Sequence, residues 1–380
     1  MVINNLDFEQ GPIRPPSESN SLLLRLTRNC PWNRCLFCPV YKDQKFSRRS
    51  PDDIKSDIEA IASAVSKISE ISHTHGFGGE INRQTAARIQ SEYPELFQIA
   101  FWLFHGGENV FLQDADSLLL PVPQLVEILE LLKEKFPAVK RITTYARSRT
   151  LLRRSVEDLI QLKQAGLSRI HVGLESGNDE VLEYMQKGVT GAQHIEAGKR
   201  VKSSGVSLSE YVILGLGGVK MWREHALDTA RVLNEINPDF IRVRTLAVPQ
   251  SSPLHKEVQQ GRFKPMSDDD IIREEALFIE NLEGIDSHFY SDHVLNLLEE
   301  VNGKFPQDKK VMQQVVNNYL SMPEEQRERF RLGRRTGYYR TLADMKNDIL
   351  KASVERIYRQ LQKERVSADD YIRQLMLRYI

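Results

Sequence analysis

SLLLRLTRNCPWNRCLFCPVYK, residues 21–42, runs from an apolar stretch directly into a loop that holds Cys30, Cys35 and Cys38. These three are the only cysteines in the 380 residues. An odd number of thiols excludes a complete intrachain disulfide set. Structural cysteines are ordinarily buried one at a time, as small hydrophobes. Here Pro31, Asn33 and Pro39 mark a loop and not a core strand. The spacing C-x4-C-x2-C gathers soft ligands on one short segment, which suits zinc, copper(I) or an iron–sulfur cluster. Structural zinc takes four ligands; there is no fourth cysteine, and no histidine lies between Val2 and His73. Three thiolates on a cubane leave one iron without a protein ligand, whereas a plain electron carrier is normally held by four. That open iron is a place for a substrate or cofactor. A cluster and a zinc completed by a distant histidine both stand at this point.

Outward from the loop, apolar β-rich stretches alternate with helical patterns. Strands are expected at 21–27, 97–104, 140–146, 169–175, 207–215 and 239–248. Helices are expected at 51–72, opened by Pro51 and acids in its first turn, and at 122–137, 155–166, 178–187, 191–204 and 221–236. Residues 73–96 read as an insertion. Parallel neighbours need crossover connections, so this alternation implies a parallel sheet. Right-handed crossovers would curl six units into a partial (β/α)6 TIM-like barrel; a doubly wound open sheet is the alternative. In barrels the chemistry sits at the C-terminal ends of the strands. On this reading the cysteines follow the first strand, HGGE (105–108) the second, YARSR (145–149) the third and ESGN (175–178) the fourth. GLGG (215–218) follows the fifth and PQSSP (249–253) the sixth. Each alone is ordinary turn chemistry.

The expected organisation is an N-terminal extension (1–20), a barrel (21–255), a barrel-closing helix and strand segment (256–303) and a mostly helical C-terminal region (304–380). Hydrophobic content is 41% and net charge zero, so nothing global points to nucleic acid or membrane. No apolar run reaches membrane-spanning length, and the N-terminus lacks a signal-peptide core. Free thiols suit a reducing, cytoplasmic setting.

With these motifs in place, the sequence resembles the radical S-adenosylmethionine (radical SAM) superfamily over about residues 20–255. The residues that carry the resemblance are Cys30, Cys35 and Cys38 after strand one, Phe37 before the last of them, Gly106, Gly107 and Glu108, and Glu175 in GLESG. One departure is the first gap, since the family's usual spacing is C-x3-C-x2-C. The resemblance implies an oxygen-sensitive enzyme with a [4Fe–4S] cluster on the three cysteines and SAM on the fourth iron. SAM would be cleaved reductively to a 5′-deoxyadenosyl radical that takes hydrogen from the substrate, an anionic small-molecule substrate on the reading of the arginines below. It further implies Phe37 beside the adenine, the GGE strip at the methionine amino group, Glu175 at the ribose, and an electron donor such as flavodoxin or ferredoxin. The pattern is nearest to the methylthiotransferase and oxygen-independent coproporphyrinogen dehydrogenase group. A haem or cluster carrier on the same scaffold, and an RNA-modifying member, are the alternatives.

Further residues follow from their positions. Arg242 and Arg244 alternate in IRVRT and share one strand face. Buried guanidiniums need anionic partners: either the carboxylate of SAM or of a substrate, for which Arg244 is the candidate, or a barrel glutamate such as Glu210. Ser176 reads as a helix N-cap. Tyr145 and Arg147 on the rim, with His288, Asp292 and His293 in SHFYSDHVLN, are candidates for the substrate, and turn chemistry is the plainer account of the latter group. EEQRERFRLGRRTGYYR (324–340) carries six arginines. Its first half reads as a solvated helix and RRTGYYR as a lid or docking segment.

Overall fold

A computed structural model describes residues 8–376. The chain divides into two compact units. One runs through Asn33 and takes in Val40–Val172 and Arg200–Leu208. The other takes Arg34–Pro39, Gly173–Lys199 and the described residues from Ser209 onward.

In chain order the elements through the first unit are β1 (Leu22–Arg25), β2 (Thr27–Arg28), β3 (Ser47–Arg48), α1 (Pro51–Thr74), α2 (Arg83–Glu92), α3 (Phe97–Phe104), β4 (Asn109–Gln113), α4 (Val122–Lys135), β5 (Arg141–Ala146), α5 (Ser148–Leu151), α6 (Val156–Ala165) and β6 (Leu167–Glu175). Strands β1, β4, β5 and β6 pair in that order, all parallel, and β2 pairs antiparallel with β3. Helix α1 forms because Ser50 caps it, accepting from the Asp53 amide, and Pro51 opens it. Its Ile54, Ile58, Ile61, Ile68 and Ile71 recur at helical spacing and are buried. Helix α6 starts on a Ser155–Asp158 capping box and ends at Gly166, whose φ of 129° favours glycine.

The stretch 97–104 overturns an expectation. FQIAFWLF is helix α3, not the second strand; that strand is β4, NVFLQ. An apolar run of this length carries no periodicity that separates a buried helix from a strand. The glycines that follow it, Gly106 (φ 96°) and Gly107 (φ 64°), terminate the helix, the Gly107 amide returning to the Trp102 carbonyl.

The second unit continues with α7 (Asp179–Tyr184), α8 (Gly191–Ser204), β7 (Ser207–Leu214), α9 (Gly218–Ile236), β8 (Phe240–Thr245), α10 (Pro253–Gln259), α11 (Asp268–Asn281), β9 (His288–Tyr290), β10 (Asn302–Lys304), α12 (Lys309–Leu320), α13 (Glu324–Arg335), α14 (Asp348–Glu364) and α15 (Ala368–Met376). Strands β7, β8 and β9 are parallel, and β10 returns antiparallel on β9. Beyond β10 the described chain is mostly helical, as expected. One core cluster joins Val181, Met185, Leu216, Leu254 and Phe263, with Leu36 and Phe37 packed against it.

Two expectations for 324–340 meet a different arrangement, the solvated first half at Arg331 and the lid or docking role of RRTGYYR at Arg334 and Arg335. Arg331, Arg334 and Arg335 are buried and engaged by carboxylates: Arg331 with Asp269 at 2.7 Å, Arg334 with Glu299 at 3.1 Å and Arg335 with Asp268 at 2.6 Å. Asp268 and Asp269 lie on α11, so Arg331 and Arg335 fasten α13 to α11. Unpaired buried charge is expensive, and the neighbouring acids remove that cost.

Candidate active site

All three cysteines are free thiols and half-buried. Cys30 belongs to the first unit. On one side of it Asn29 (φ 66°) is left-handed and on the other Asn33 (φ 48°), a conformation that asparagine tolerates better than most residues. Both side chains reach the returning arm of the loop. Asn29 Nδ2 donates to the Lys45 carbonyl at 2.7 Å, and Asn33 Nδ2 donates to the Tyr41 carbonyl. The Asn33 amide points back at Cys30 Sγ, 3.5 Å away. Asp114, the first residue past β4, is fully buried beneath these arms. It takes the Tyr41 hydroxyl, Arg25 Nη2 at 2.7 Å and the Asn29 amide at 3.4 Å. Burial pushes its carboxyl up, and burial together with the Asp114 charge pushes the Tyr41 hydroxyl far above the usual range.

Cys35, Phe37 and Cys38 belong to the second unit. The Cys38 amide turns back to the Cys35 carbonyl at 3.4 Å. Leu36 between them is anchored in both directions: its amide donates to the Met185 carbonyl at 3.0 Å, and its carbonyl accepts from the Leu254 amide at 2.9 Å. Lys187 stands with its ammonium 5.9 Å from the Phe37 ring centroid and pairs with Glu175 at 2.9 Å. Glu175 ends β6 in the left-handed region, at φ 65°, an uncommon conformation for glutamate. A Cβ on Gly173 would lie 2.2 Å from its carboxylate oxygen, so glycine is what lets Glu175 fold back over its own strand. Glu210 is buried nearby in charge terms: burial pushes its carboxyl well up, and Lys187 only partly offsets this. Phe37 and Glu175 are thus brought together, and the residue between them, Lys187, was missed in the sequence. Its signal is faint, a lysine flanked by two left-handed positions, Gln186 and Gly188, in the turn after α7.

Other expected residues lie elsewhere. Gly106, Gly107 and Glu108 precede β4, so they occupy the opposite end of that strand from the one assigned to them; Glu108 is exposed and pairs with Lys140 at 2.5 Å. The positions past the second strand belong to Asp114, Ala115 and Asp116. Asp116 is fully buried, its carboxyl pushed up to about 7 by burial, with Thr150 donating to it at 2.5 Å. Ser176 is not the N-cap. Asn178 fills that role by accepting from the Val181 amide, and buried Ser176 instead meets His225 Nδ1 at 2.8 Å. Tyr145 packs edge-on against Phe111 and His171, and Arg147 lies 5.1 Å over the Trp32 ring in the cysteine loop.

The two arginines of β8 do not meet Glu210. In register, Tyr211 pairs with Arg242 and Ile213 with Arg244, which leaves Glu210 on the alternate face. Arg242 is buried, pairs with Asp292 at 3.3 Å and lies 4.6 Å over Tyr290. Arg244 is exposed and donates to His293 Nε2 at 3.0 Å. Burial, with the Arg244 charge, holds the His293 imidazole down to about 3, so it is neutral. His288 on β9 stacks against both Phe240 and Tyr290, which also stack on each other. Among the described residues no group of three or more His, Cys, Asp or Glu side chains stands ready-made to hold a metal ion.

Residues 24–230, more than half of the chain, match the family model of the radical SAM superfamily. The chain belongs to that superfamily. Radical SAM proteins are enzymes that use a [4Fe–4S] cluster and S-adenosylmethionine, and their TIM-like partial barrel is the fold class read from the strand and helix alternation here. The chain is 23% identical to a tRNA uridine(34) acetyltransferase of Methanocaldococcus jannaschii over 117 residues, 30% of this chain and 22% of that protein. It is 21% identical to an uncharacterized protein of the same organism over 203 residues, 53% of this chain and 60% of that one. It therefore spans less than two thirds of the length of either relative. Among solved structures, the radical SAM coproporphyrinogen III oxidase of Escherichia coli is similar at 19% identity and a TM-score of 0.41, covering 69% of this chain and 52% of that one. No helix is long and apolar enough to cross a membrane among the described residues.

Proposed function

We propose that this radical SAM enzyme binds its cluster through Cys30, Cys35 and Cys38, and SAM beside Phe37, Lys187 and Glu175. Its substrate on this reading is an anionic small molecule. The donor set suits the cluster: three free thiols on one loop, with local backbone anchors at both the Cys30 and the Cys35–Cys38 turns. When bound, the cluster supplies the electron that cleaves SAM to the 5′-deoxyadenosyl radical. This chain's own residues bind, orient and exclude water. Phe37 offers an apolar face to the adenine, and Glu175 offers acceptors to ribose hydroxyls. Lys187 offers a cation to the methionine carboxylate.

One observation carries the anionic substrate. Arg244 has no carboxylate partner among the described residues; a neutral imidazole holds it. Its guanidinium is a fork left for a carboxylate or phosphate. On this reading Arg244 serves the substrate, and Arg242, already paired with Asp292, keeps its strand in place. An RNA reading draws nothing from Arg331, Arg334 and Arg335, which are committed to carboxylates.

The test is anaerobic reconstitution followed by SAM cleavage. About four irons with sulfide per chain are expected, along with 5′-deoxyadenosine when reductant is supplied. Replacing any one of the three cysteines by Ala should remove the visible cluster absorption. Stoichiometric zinc without sulfide would sink the reading. Haem uptake with a Soret band and no SAM cleavage would favour a carrier. For the substrate, Arg244→Leu should weaken binding of anionic candidates by roughly 30-fold or more, with SAM cleavage retained. An Arg244→Leu enzyme that turns over an anionic substrate normally would refute its assignment.

A further inference from the structure

Asp114 touches both arms of the cysteine loop. The Asn29 amide, immediately before Cys30, and the Tyr41 hydroxyl, just beyond Pro39 on the return, donate to the same buried carboxylate. Arg25, the last residue of β1, closes the arrangement: one nitrogen reaches Asp114 at 2.7 Å and the Asn29 side chain at 3.4 Å, the other reaches Glu9 at 3.0 Å. Glu9 also takes Arg28, so the strand that enters the loop is tied as well. Gly11 covers the site from outside. A Cβ there would come 2.9 Å from the Asp114 carboxyl, so any larger residue pushes against a group held by three partners.

We propose that Asp114 is a positioning residue for the iron–sulfur cluster, a clasp that fixes the separation of the two arms of the cysteine loop and so holds Cys30 where a thiolate must stand. This rests on the assignment of the three cysteines as cluster ligands. The physical reason is that a loop with free arms must give up conformational entropy each time its thiolates close on the metal. A loop whose arms share one buried acceptor has already lost that freedom. Asp114 touches no iron on this account; it acts through Asn29 and Tyr41. Groups that orient a ligand without touching metal typically change metal affinity by roughly 10–100-fold.

The experiment uses the full chain, loaded with iron and sulfide anaerobically. It reads the rate at which a ferrous chelator strips the reduced protein, together with the electron paramagnetic resonance spectrum of the cluster. Asp114→Ala should lose iron roughly 10-fold faster or more, with a broadened spectrum. Tyr41→Phe, the milder change, should move both readouts the same way by less, and Gly11→Ala should do so with every network side chain intact. Ser155→Ala is the control. It removes the capping box of α6, whose partner Asp158 is no part of the Asp114 network. It should lower the melting temperature and leave iron release unchanged. Wild-type release rates in both Asp114→Ala and Tyr41→Phe overturn the proposal, as does equal acceleration by Ser155→Ala, which would mean general loosening. If Asp114→Ala does not fold, Tyr41→Phe decides. A wild-type protein that takes up no cluster at all is a different result, and it defeats the cysteine assignment instead.

Discussion

Two buried aspartates are gripped by the same pair of groups. Asp114 takes the Tyr41 hydroxyl and Arg25, and Asp269 takes the Tyr319 hydroxyl at 2.5 Å and Arg331 at 2.7 Å. Their neighbours differ. Asp114 has one guanidinium and a loop amide, and burial leaves its carboxyl raised. Asp269 has a second guanidinium, from Arg327 at 2.9 Å. Burial still pushes Asp269 upward, but Tyr319 and the two arginines outweigh it and hold it below the usual range. The first grip joins a loop to a strand end; the second joins helix to helix. One motif of side chains therefore serves either geometry or stability, according to the stiffness of what it joins.

The largest effect expected from breaking the second grip is on stability alone. Asp269→Ala leaves Arg331 buried with weaker acceptors at 3.2 and 3.4 Å. That should cost about 3–5 kcal/mol by denaturant titration, with iron content per folded chain unchanged. A loss of iron affinity instead would erase the contrast between the two sites. Gly333→Ala, on α13, separates packing from charge. Its Cβ would lie 2.1 Å from the buried Tyr339 ring, and such overpacking costs about 1–3 kcal/mol. An unchanged stability would show that Tyr339 can move.

The pH dependence sharpens the same contrast on α11. Burial pushes the Glu275 carboxyl up to about 8, and the Glu274 charge adds to this. The folded state then holds a proton that the unfolded state releases, so stability falls as pH rises from the ordinary carboxyl value toward 8. Asp269 runs the other way: its contribution is present above its unfolded pKa and is lost as pH falls through its lowered folded value. Glu275→Gln should raise the melting temperature at pH 8 and change it little at pH 5. A uniform change at both would refute the protonated state. The smallest effect concerns Glu108→Ala. Its pair with Lys140 is exposed on both sides, so stability should shift by less than about 1 kcal/mol. Calorimetric affinity for SAM should stay at the wild-type value, because Glu108 lies at the wrong end of β4.

What was legible in the sequence follows from how local the signal is. Helices α1 and α6 could be placed because Ser50, Pro51, Ser155 and Gly166 act on neighbouring backbone. The cysteine loop was legible from spacing and composition. FQIAFWLF was misread because Gln98 is its one polar residue; even in the folded protein Phe101 and Phe104 are partly exposed, so no continuous polar face betrays the helix. That single error moved GGE to the wrong end of a strand and hid Asp114 and Asp116. The partners of Arg242 and Arg244 depend on strand register, and a one-residue step reverses the face. Nothing local encodes that step.

The clasp at Asp114 bears on the unusual first gap between the cysteines. A segment whose two ends are pinned has a fixed span but a free contour length. One inserted residue adds slack between the pins without displacing them, and the closure entropy of a loop grows only logarithmically with its length. A chain anchored in this way tolerates insertion and deletion inside the segment far better than substitution at its anchors, so an aligned set of such proteins should vary in loop length while keeping the acid.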